Sequence, residues 1–232
     1  YIFIALIGAV ATTFVWFLLP RGLRADRLTL RQRLGVIRHP GLLPALVTML
    51  LYMAGGFIVF TYIAAIAVQG TGLSRAMVPL VLLAFGLGAA LGNVVGGQLS
   101  DRFGPTRTVI AASFLNAASL MAISWIMQWP HEIAGPALMT IMVLWGIAAW
   151  MFPPAQASRV LAIAPESAPL ALSLNGSALY LGIASGSFVG GLIIANLGLE
   201  YLGWIGGAFP LLGLVVMRLA NVNARKTELS VA

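Results

Sequence analysis

Long apolar runs separated by short polar connectors dominate the chain. A helix needs about 20 apolar residues to cross the hydrocarbon of a bilayer. Runs of that kind lie at 1–19, 42–67, 77–99, 108–127, 137–153, 170–195 and 202–219. The stretch 80–91 has no polar residue, which excludes the alternating strands of a membrane barrel. Backbone groups in lipid need partners within their own segment, so the pattern predicts an all-α, polytopic membrane bundle with about seven transmembrane helices.

The composition agrees with this pattern. Of the 232 residues, 60% are hydrophobic and 8% are charged, whereas soluble domains carry about 25% charged residues. So few charges cannot cover the surface of a water-soluble fold of this length, and we conclude that the protein lies mainly in lipid. The chain contains no cysteine, which excludes disulfides, thiolate nucleophiles and cysteine-bound metals.

Reactive groups are scarce within the apolar runs. The two histidines, His39 and His131, fall in connectors, and no carboxylate lies deep within a run. The sequence has neither an HExxH motif nor a Walker loop. The residues that metal-dependent intramembrane proteolysis and ATP-driven transport require are therefore missing from it. Its one lysine, Lys226, lies in the tail, which excludes a retinal Schiff base within a span. We therefore predict neither an enzyme nor a bound metal or cofactor.

Basic residues are distributed unevenly between the connectors. Connector 20–40, the turns after the third and fifth runs and the C-terminal end hold 12 of the 13 basic residues, and the opposite connectors hold only Arg75. Because basic loops stay in the cytoplasm, the C-terminus is predicted to be cytoplasmic. Connector 20–40 is expected to lie on anionic lipid and not on nucleic acid. The run 1–19 then begins outside, so we interpret it as the last span of a missing N-terminal half.

Glycines recur every four residues in the third and sixth runs. This spacing lets helix backbones approach closely and predicts helix-packing stripes at Gly88, Gly92, Gly96, Gly182, Gly186 and Gly190. A shift of 94 residues superposes the two stripes and carries Gly97 and Gly104 onto Gly191 and Gly198. Because these two runs cross in opposite directions, we predict two inverted three-helix repeats preceded by one extra span. Such repeats are frequent in secondary transporters, whose substrate site lies at the midplane between them.

Two stretches resemble a known family. Residues 97–107, Gly-Gln-Leu-Ser-Asp-Arg-Phe-Gly-Pro-Thr-Arg, resemble the cytoplasmic loop signature G-x-L-a-D-R-x-G-R-R of the major facilitator superfamily. Residues 165–191 resemble the eleventh span of its drug and sugar efflux branch, the arabinose-efflux-like proton antiporters, through Pro-Glu-Ser, Leu-Ser-Leu-Asn and the glycines. The resemblance implies a multi-pass protein of the bacterial inner membrane, matching spans six to twelve of a twelve-span transporter.

The resemblance also implies how the chain is divided. Residues 1–19 would be the last span of the missing N-terminal half, 20–40 a basic cytoplasmic connector, 41–219 the six-helix C-terminal half and 220–232 a cytoplasmic tail. The loop signature implies a gating loop formed by Gly97, Asp101, Arg102, Gly104 and Arg107.

The role of the loop carboxylate is left open between two alternatives. Asp101 either forms part of a tight turn or latches one conformation by pairing with Arg102, Arg107 or the start of the next helix. Pro105 and Thr106 replace residues that are usually basic in the family, which weakens the expected charge network.

Candidate cavity residues come from polar and aromatic helix faces. In the sixth run, Tyr180 and Ser187 lie opposite the glycine stripe, and the 94-residue shift places Asn93 against Ser187. An asparagine at lipid depth is costly unless it meets a partner or water. Further candidates are Tyr52 and Tyr62 in the second run and Trp145 in the fifth. Alternatively, the serine bonds its own backbone, Tyr62 anchors at the interface and Trp145 serves in packing.

The leading interpretation is a secondary transporter, present as a C-terminal fragment. By resemblance it exports small molecules such as drugs or sugars by alternating access, coupled to protons. Its expected partners are a small-molecule substrate, membrane lipid and the missing N-terminal half, with no nucleic acid. The alternative is a membrane fragment with a structural or interaction role and no transport activity.

Overall fold

The computed structural model of the protein describes residues 2–18, 39 and 41–231. Its long helices are α1 (Ile2–Leu18), α2 (Leu42–Phe60), α3 (Val78–Phe103), α4 (Pro105–Ile126), α5 (His131–Ile163), α6 (Ala168–Asn196) and α7 (Leu202–Val231). The shorter elements are an α-helical turn at Ile63–Ala65, a π-helical turn at Ile66–Gly70, and 3₁₀ turns at Arg75–Met77, Pro165–Ser167 and Leu199–Tyr201. The described residues form no strand.

Six of the helical stretches are long and apolar enough to cross a membrane. They span Leu42–Gly70, Arg75–Phe103, Pro105–Ile126, His131–Ile163, Pro165–Asn196 and Leu199–Ala220. The prediction of an all-α, multi-pass membrane bundle is therefore confirmed.

Helix α1 belongs to a compact unit of its own, Tyr1–Arg33, and the other long helices belong to the unit Leu34–Ala232. It is apolar but has 17 residues, fewer than the predicted run 1–19. Within it, Thr12 and Thr13 donate hydrogen bonds to carbonyl oxygens one turn earlier. Most of the predicted connector 20–40 lies outside the described residues.

The predicted glycine stripes are contact surfaces between helices. A methyl group added to Gly92 would collide with the backbone of Ile147 in α5, and one added to Gly186 would collide with the backbone of Ala54 in α2. Glycine at these positions allows the two backbones to touch, so each stripe packs one helix directly on another. The contacts of Gly88, Gly92 and Gly96 are Val143, Ile147 and Met151; those of Gly182, Gly186 and Gly190 are Leu50, Ala54 and Ile58.

These contacts relate the two repeats to one another. Equivalent glycines of the two stripes are 94 positions apart in the sequence. The residues that they contact are 93 positions apart (143 and 50, 147 and 54, 151 and 58). In each repeat, the helix that carries the glycine stripe therefore packs on the first helix of the other repeat: α3 packs on α5, and α6 packs on α2. The numbering rises together along both pairs, so the helices of each pair run parallel.

The turns that follow the glycine helices repeat as well. Gly104 has φ 89° and Gly198 has φ 124°, backbone conformations that residues with a side chain rarely adopt. Gly104 alone joins α3 to α4, and Pro105 occupies the first position of α4, where its fixed φ suits a helix start. The equivalence of Gly104 and Gly198 extends the repeat beyond the glycine stripes.

Helices α3 and α6 are the least buried of the six spans. Their glycine faces are covered by α5 and α2, while residues on the opposite faces, such as Asn93 and Tyr180, are exposed. Helices α2, α4 and α7 contact one another, α5 contacts α2 and α4, and these four helices hold most of the buried side chains. The core thus lies among these four helices, with α3 and α6 each packed against it by one face.

Candidate functional site

A cavity of about 140 Å³ lies between helices α2 to α6. Its walls are mostly aromatic and aliphatic, and their residues are Tyr52, Met53, Gly56, Phe57, Phe60, Phe85, Asn116, Trp145, Ala149, Trp150, Pro153, Leu179 and Ile183. Among these described lining residues there is no carboxylate, ammonium, guanidinium or imidazole group. Apolar walls with a few polar groups are typical of sites that bind small organic molecules.

Three aromatic rings from different helices meet on one side of the cavity. The ring centroids of Phe85 and Trp145 are 5.0 Å apart in an edge-on arrangement, and Phe60 lies 4.8 Å from Phe85 and 6.0 Å from Trp145. Edge-on and tilted contacts at these distances are favourable because the positive edge of one ring meets the negative face of another. The three rings form a preorganised apolar wall.

The indole of Trp145 is held by Asn116. Its Nε1–H donates a hydrogen bond of 2.8 Å to Oδ1 of Asn116, and both residues are buried. An indole nitrogen can only donate, so the amide of Asn116 must turn its oxygen toward the ring. The Nδ2 group of Asn116 then points elsewhere and has no hydrogen-bond partner among the described residues.

The first helices of the two repeats meet at Tyr52. Its hydroxyl donates a hydrogen bond of 2.7 Å to the carbonyl oxygen of Ala148, and its ring stacks on Phe152 with centroids 3.7 Å apart. A shift of 93 residues, the one that relates α2 to α5, carries Tyr52 onto Trp145. The cavity therefore receives an aromatic residue from equivalent positions of both repeats.

Helix α5 contains two adjacent prolines beside the cavity. Pro153 and Pro154 lie inside the helix and have no N–H to donate to the carbonyl groups four residues earlier. Those carbonyls belong to Ala149 and Trp150, and both residues line the cavity. The helix is thus weakened at the level of the cavity, because the two prolines leave two of its backbone hydrogen bonds unmade.

Of the six predicted cavity residues, Tyr52 and Trp145 lie on the wall of this cavity. Tyr62 and Ser187 lie together elsewhere: the Tyr62 hydroxyl donates to the Ser187 carbonyl oxygen at 2.9 Å, and the Tyr62 ring lies over Gly190. The hydroxyl of Ser187 lies 2.8 Å from that of Thr61 and also bonds its own helix backbone. These contacts tie the end of α2 to α6.

The other two candidates lie on exposed helix faces. Asn93 is exposed on α3, and Tyr180, on α6, has 72% of its surface exposed. Neither residue is among those that line the cavity. That Asn93, Tyr180 and Ser187 face water stays a prediction.

The predicted gating loop surrounds the turn at Gly104. Gly97 lies within α3, Asp101 and Arg102 lie in its last turn, and Arg107 is near the start of α4. The guanidinium of Arg102 lies 5.4 Å from the centre of the Phe103 ring. Among the described residues, the carboxylate of Asp101 is exposed and makes no hydrogen bond or ion pair. The latch therefore stays a prediction for another conformation.

Helix α5 is longer than its predicted run, 137–153, and buries polar residues that the pattern assigned to a connector. Nε2 of Gln156 donates a hydrogen bond of 2.7 Å to the carbonyl oxygen of Ala45. Arg159, which we counted among the basic connector residues, is buried, and its Nη1 has no partner within the described part of the chain. A scan for apolar runs does not detect polar residues that are buried between packed helices, so it ends the helix too early.

Asn116, Phe60 and Phe85 are absent from the predicted set of cavity residues. A signal for Asn116 exists, since it is an asparagine in the middle of an apolar run, the criterion that selected Asn93. The two phenylalanines carry no such signal, because a lipid-facing and a cavity-facing phenylalanine look alike in a sequence.

The chain matches a family model described as the Major Facilitator Superfamily over residues 45–230. An uncharacterized MFS-type transporter of Bacillus subtilis, YtbD, is 32% identical over 212 residues, which cover 89% of this chain and 52% of the relative. The inner membrane transport protein YdhP of Escherichia coli is 31% identical over 215 residues, which cover 92% of this chain and 52% of the relative.

A third relative is described as a probable sugar efflux transporter of Helicobacter pylori. It is 28% identical over 227 residues, which cover 95% of this chain and 56% of the relative. The chain thus spans about half the length of the curated relatives that it matches.

Proposed function

Because the chain belongs to the Major Facilitator Superfamily, a family of membrane transporters, we propose that it is the C-terminal half of a secondary transporter that exports small organic molecules. The observation that carries this proposal is the cavity, which receives Tyr52 and Trp145 from equivalent positions of the two repeats. A site between inverted repeats can open to either side of the membrane when one repeat moves against the other.

The moving parts are proposed to be α2 and α5. Helix α2 ends at Phe60 and continues through a turn at Thr61 and Tyr62. The 93-residue shift carries Phe60 and Thr61 onto Pro153 and Pro154 of α5. Both helices therefore have a weak point at equivalent positions. Because the repeats are inverted, the two weak points lie near opposite ends of the cavity. Bending at these points changes access to the cavity while the glycine contacts stay packed.

Drugs and sugars are the proposed substrate classes. One relative is described as a probable sugar efflux transporter, and residues 165–191 resemble the eleventh span of the drug and sugar efflux branch. Aromatic rings such as Trp145 and Phe85 offer flat apolar faces on which the ring of an organic substrate can stack. The driving force is proposed to be a proton gradient, with alternating access at the cavity.

The proposed partner is an N-terminal half that faces the exposed sides of α3 and α6 across a water-filled cavity. Those faces carry Asn93 and Tyr180 opposite the glycine stripes, and polar residues at membrane depth need a partner or water. We place the protein in the bacterial inner membrane, with the basic connectors and the C-terminus in the cytoplasm, and with lipid around the remaining faces.

Transport by everted membrane vesicles tests this function. Vesicles from cells that make the chain with its upstream half are energised, and the uptake of labelled sugars and of a lipophilic dye is followed. We expect uptake that a protonophore abolishes and that Trp145→Ala lowers at least about tenfold, because an aromatic wall and its hydrogen bond to Asn116 are lost.

The matched control is Trp125→Ala. Trp125 is 56% exposed and packs edge-on against Trp129, so its loss should leave uptake nearly unchanged. An equal loss of uptake in the two variants would show that the cavity does not lie on the transport path. No uptake of any compound would favour the structural alternative.

A further inference from the structure

The segment that follows α2, residues 61–70, is joined to α6 by a cluster of hydroxyl groups. Tyr62 donates its backbone N–H to the carbonyl oxygen of Val59, three residues earlier, so the α-helical pattern is interrupted here. At this interruption the hydroxyl oxygen of Thr61 lies 2.8 Å from that of Ser187, and the Tyr62 hydroxyl donates to the Ser187 carbonyl oxygen at 2.9 Å. The Tyr62 ring also fills the space beside Gly190. We call residues 61–70 the outer segment, since the proposed orientation places them toward the outside.

The hydroxyls of Thr61 and Ser187 have fewer protons than acceptors. The Thr61 hydroxyl oxygen also lies 2.9 Å from the carbonyl oxygen of Phe57, and that of Ser187 lies 2.9 Å from the carbonyl oxygen of Ile183. Each hydroxyl donates one proton, so only two of these three contacts are hydrogen bonds at any time. If the outer segment leaves α6, each hydroxyl still donates to its own helix backbone. Separation of this pair therefore costs no hydrogen bond.

Tyr62 differs from this pair. Its hydroxyl donates to the carbonyl oxygen of Ser187 and has no second acceptor among the described residues. When the outer segment leaves α6, this bond is lost and the ring leaves the space beside Gly190. The attachment thus depends on Tyr62, while the hydroxyl pair can open and close without a net change in hydrogen bonds.

The cluster lies next to the cavity. Phe60, which directly precedes Thr61, is one of the three aromatic rings of the cavity wall and contacts Phe85 and Trp145. Because Phe60 is joined to the outer segment, a movement of that segment away from α6 also shifts the aromatic wall.

We propose that Thr61, Tyr62 and Ser187 form a reversible latch at the outer end of the cavity. The latch is closed in this conformation, and it is released when the cavity opens to the outside. This inference rests on the proposed function and adds the contact that controls outward access to its site.

Labelling of a cavity residue from the outside tests the latch in the assembled transporter. Ala149, which lines the cavity, is replaced by cysteine in the chain made with its upstream half. Right-side-out vesicles are treated with a membrane-impermeant thiol reagent, and the labelling of the same vesicles without this cysteine is subtracted. We expect Tyr62→Phe to raise the labelling rate about two- to tenfold, the effect of one hydrogen bond on the balance between closed and open forms.

Two further variants separate the latch from a general loosening of the protein. Tyr201→Phe is the matched control, because Tyr201 is 45% exposed in an outer turn and makes no hydrogen bond among the described residues. Thr61→Val should also leave the rate unchanged, since Ser187 then donates to its own helix in both forms. An unchanged rate in Tyr62→Phe, an equal rise in Tyr201→Phe or an equal rise in Thr61→Val would overturn the proposed latch.

A reversible cross-link tests the latch by a second route. Cysteines at Thr61 and Ser187 should form a disulfide on oxidation, because the two hydroxyl oxygens are 2.8 Å apart. We expect oxidation to lower uptake by everted vesicles at least about tenfold and a reductant to restore it. Absence of the cross-link would contradict the closed contact, and uptake that persists in the cross-linked protein would contradict its release.

The control pair for the cross-link is Thr48→Cys with Gly213→Cys. A side chain added at Gly213 makes ordinary contact with Thr48, so this disulfide joins α2 to α7 on the inner side of the interruption and should leave uptake unchanged. An equal loss of uptake with this pair would contradict a specific role for the outer segment. Labelling is read without transport, so a lack of uptake in the reduced protein would count against the transport function, and the labelling result would count only for or against the latch.

Discussion

The hydroxyl of Tyr52 donates a hydrogen bond to the carbonyl oxygen of Ala148, with 2.7 Å between the two oxygens. Tyr52 belongs to α2 and Ala148 to α5, so this bond joins the first helices of the two repeats. Both oxygens are buried, and the bond lies one turn before Phe152, on which the Tyr52 ring stacks. The two halves of the inverted repeat are therefore held together at the cavity wall.

The variant Tyr52→Phe should destabilise the protein modestly. It removes the bond to Ala148 and keeps the stacked ring, so we expect a loss of about 0.5–1.5 kcal/mol, seen as a lower midpoint of thermal unfolding in detergent. Tyr180→Phe is the control, because Tyr180 is 72% exposed and should lose nothing measurable. Equal midpoints for the two variants would show that the bond does not contribute.

Alanine at the glycine stripes should destabilise the bundle. In Gly92→Ala and Gly186→Ala the new methyl group meets the backbone of the facing helix, and such overpacking typically costs about 1–3 kcal/mol. Gly86→Ala and Gly176→Ala are matched controls, since a methyl group there meets nothing within 4 Å. Thermal unfolding should separate the two pairs. Four similar midpoints would contradict close packing at the stripes.

The fold could largely be predicted because the length of an apolar run is a direct measure of a spanning helix. The ends of the helices were less predictable. The fifth run ends at Pro153 when only hydrophobicity is considered. In the structure α5 continues to Ile163, because Gln156 and Arg159 are buried between helices.

The cavity could be predicted only in part. Tyr52 is a predicted cavity residue because a tyrosine ring with one polar tip suits a ligand site, and Trp145 because an aromatic side chain can line a cavity. Phe85 has no feature that separates it from a lipid-facing phenylalanine. Tyr62 fills the space that Gly190 leaves open, a contact between distant parts of the chain. Such contacts depend on which helices are neighbours, and a single sequence does not show which helices these are.

Accessibility to thiol reagents tests the two faces of α3 and α6. The chain has no cysteine, so single cysteines can be introduced directly. Cysteines at Asn93, Tyr180 and Ser187 should react with small aqueous reagents when the chain is assembled with its upstream half, while those at Gly88 and Gly186 should be protected. Protection of the first three with labelling of the last two would reverse the assignment of faces.

Replacing the prolines of α5 should slow transport and leave the fold intact. The double variant Pro153→Ala, Pro154→Ala restores N–H donors for the carbonyls of Ala149 and Trp150, so the helix becomes stiffer and the thermal midpoint should stay equal or rise. We expect uptake by vesicles to fall at least about tenfold if bending limits the cycle.

The control for this prediction is Pro136→Ala, since Pro136 lies in α5 near its exposed start. Its uptake should match that of the unchanged protein. Unchanged uptake in the double variant would show that α5 does not bend during transport.

Proton coupling depends on where the carboxylates lie. A proton-coupled carrier needs a group in the transport path that gains and loses a proton, usually an intramembrane carboxylate or histidine. The carboxylates of this chain fall in connectors, at helix ends or in the tail; they are Asp26, Asp101, Glu132, Glu166, Glu200 and Glu228. The coupling group is therefore expected in the upstream half.

Flux into proteoliposomes under an imposed pH gradient tests the central claim most directly. We predict gradient-driven flux of a labelled substrate when the 232-residue chain is reconstituted with its upstream half, and none when it is reconstituted alone. Gradient-driven flux from the chain alone, abolished by Asp101→Asn, would contradict the account, because both the transport path and the coupling group would then lie in these residues.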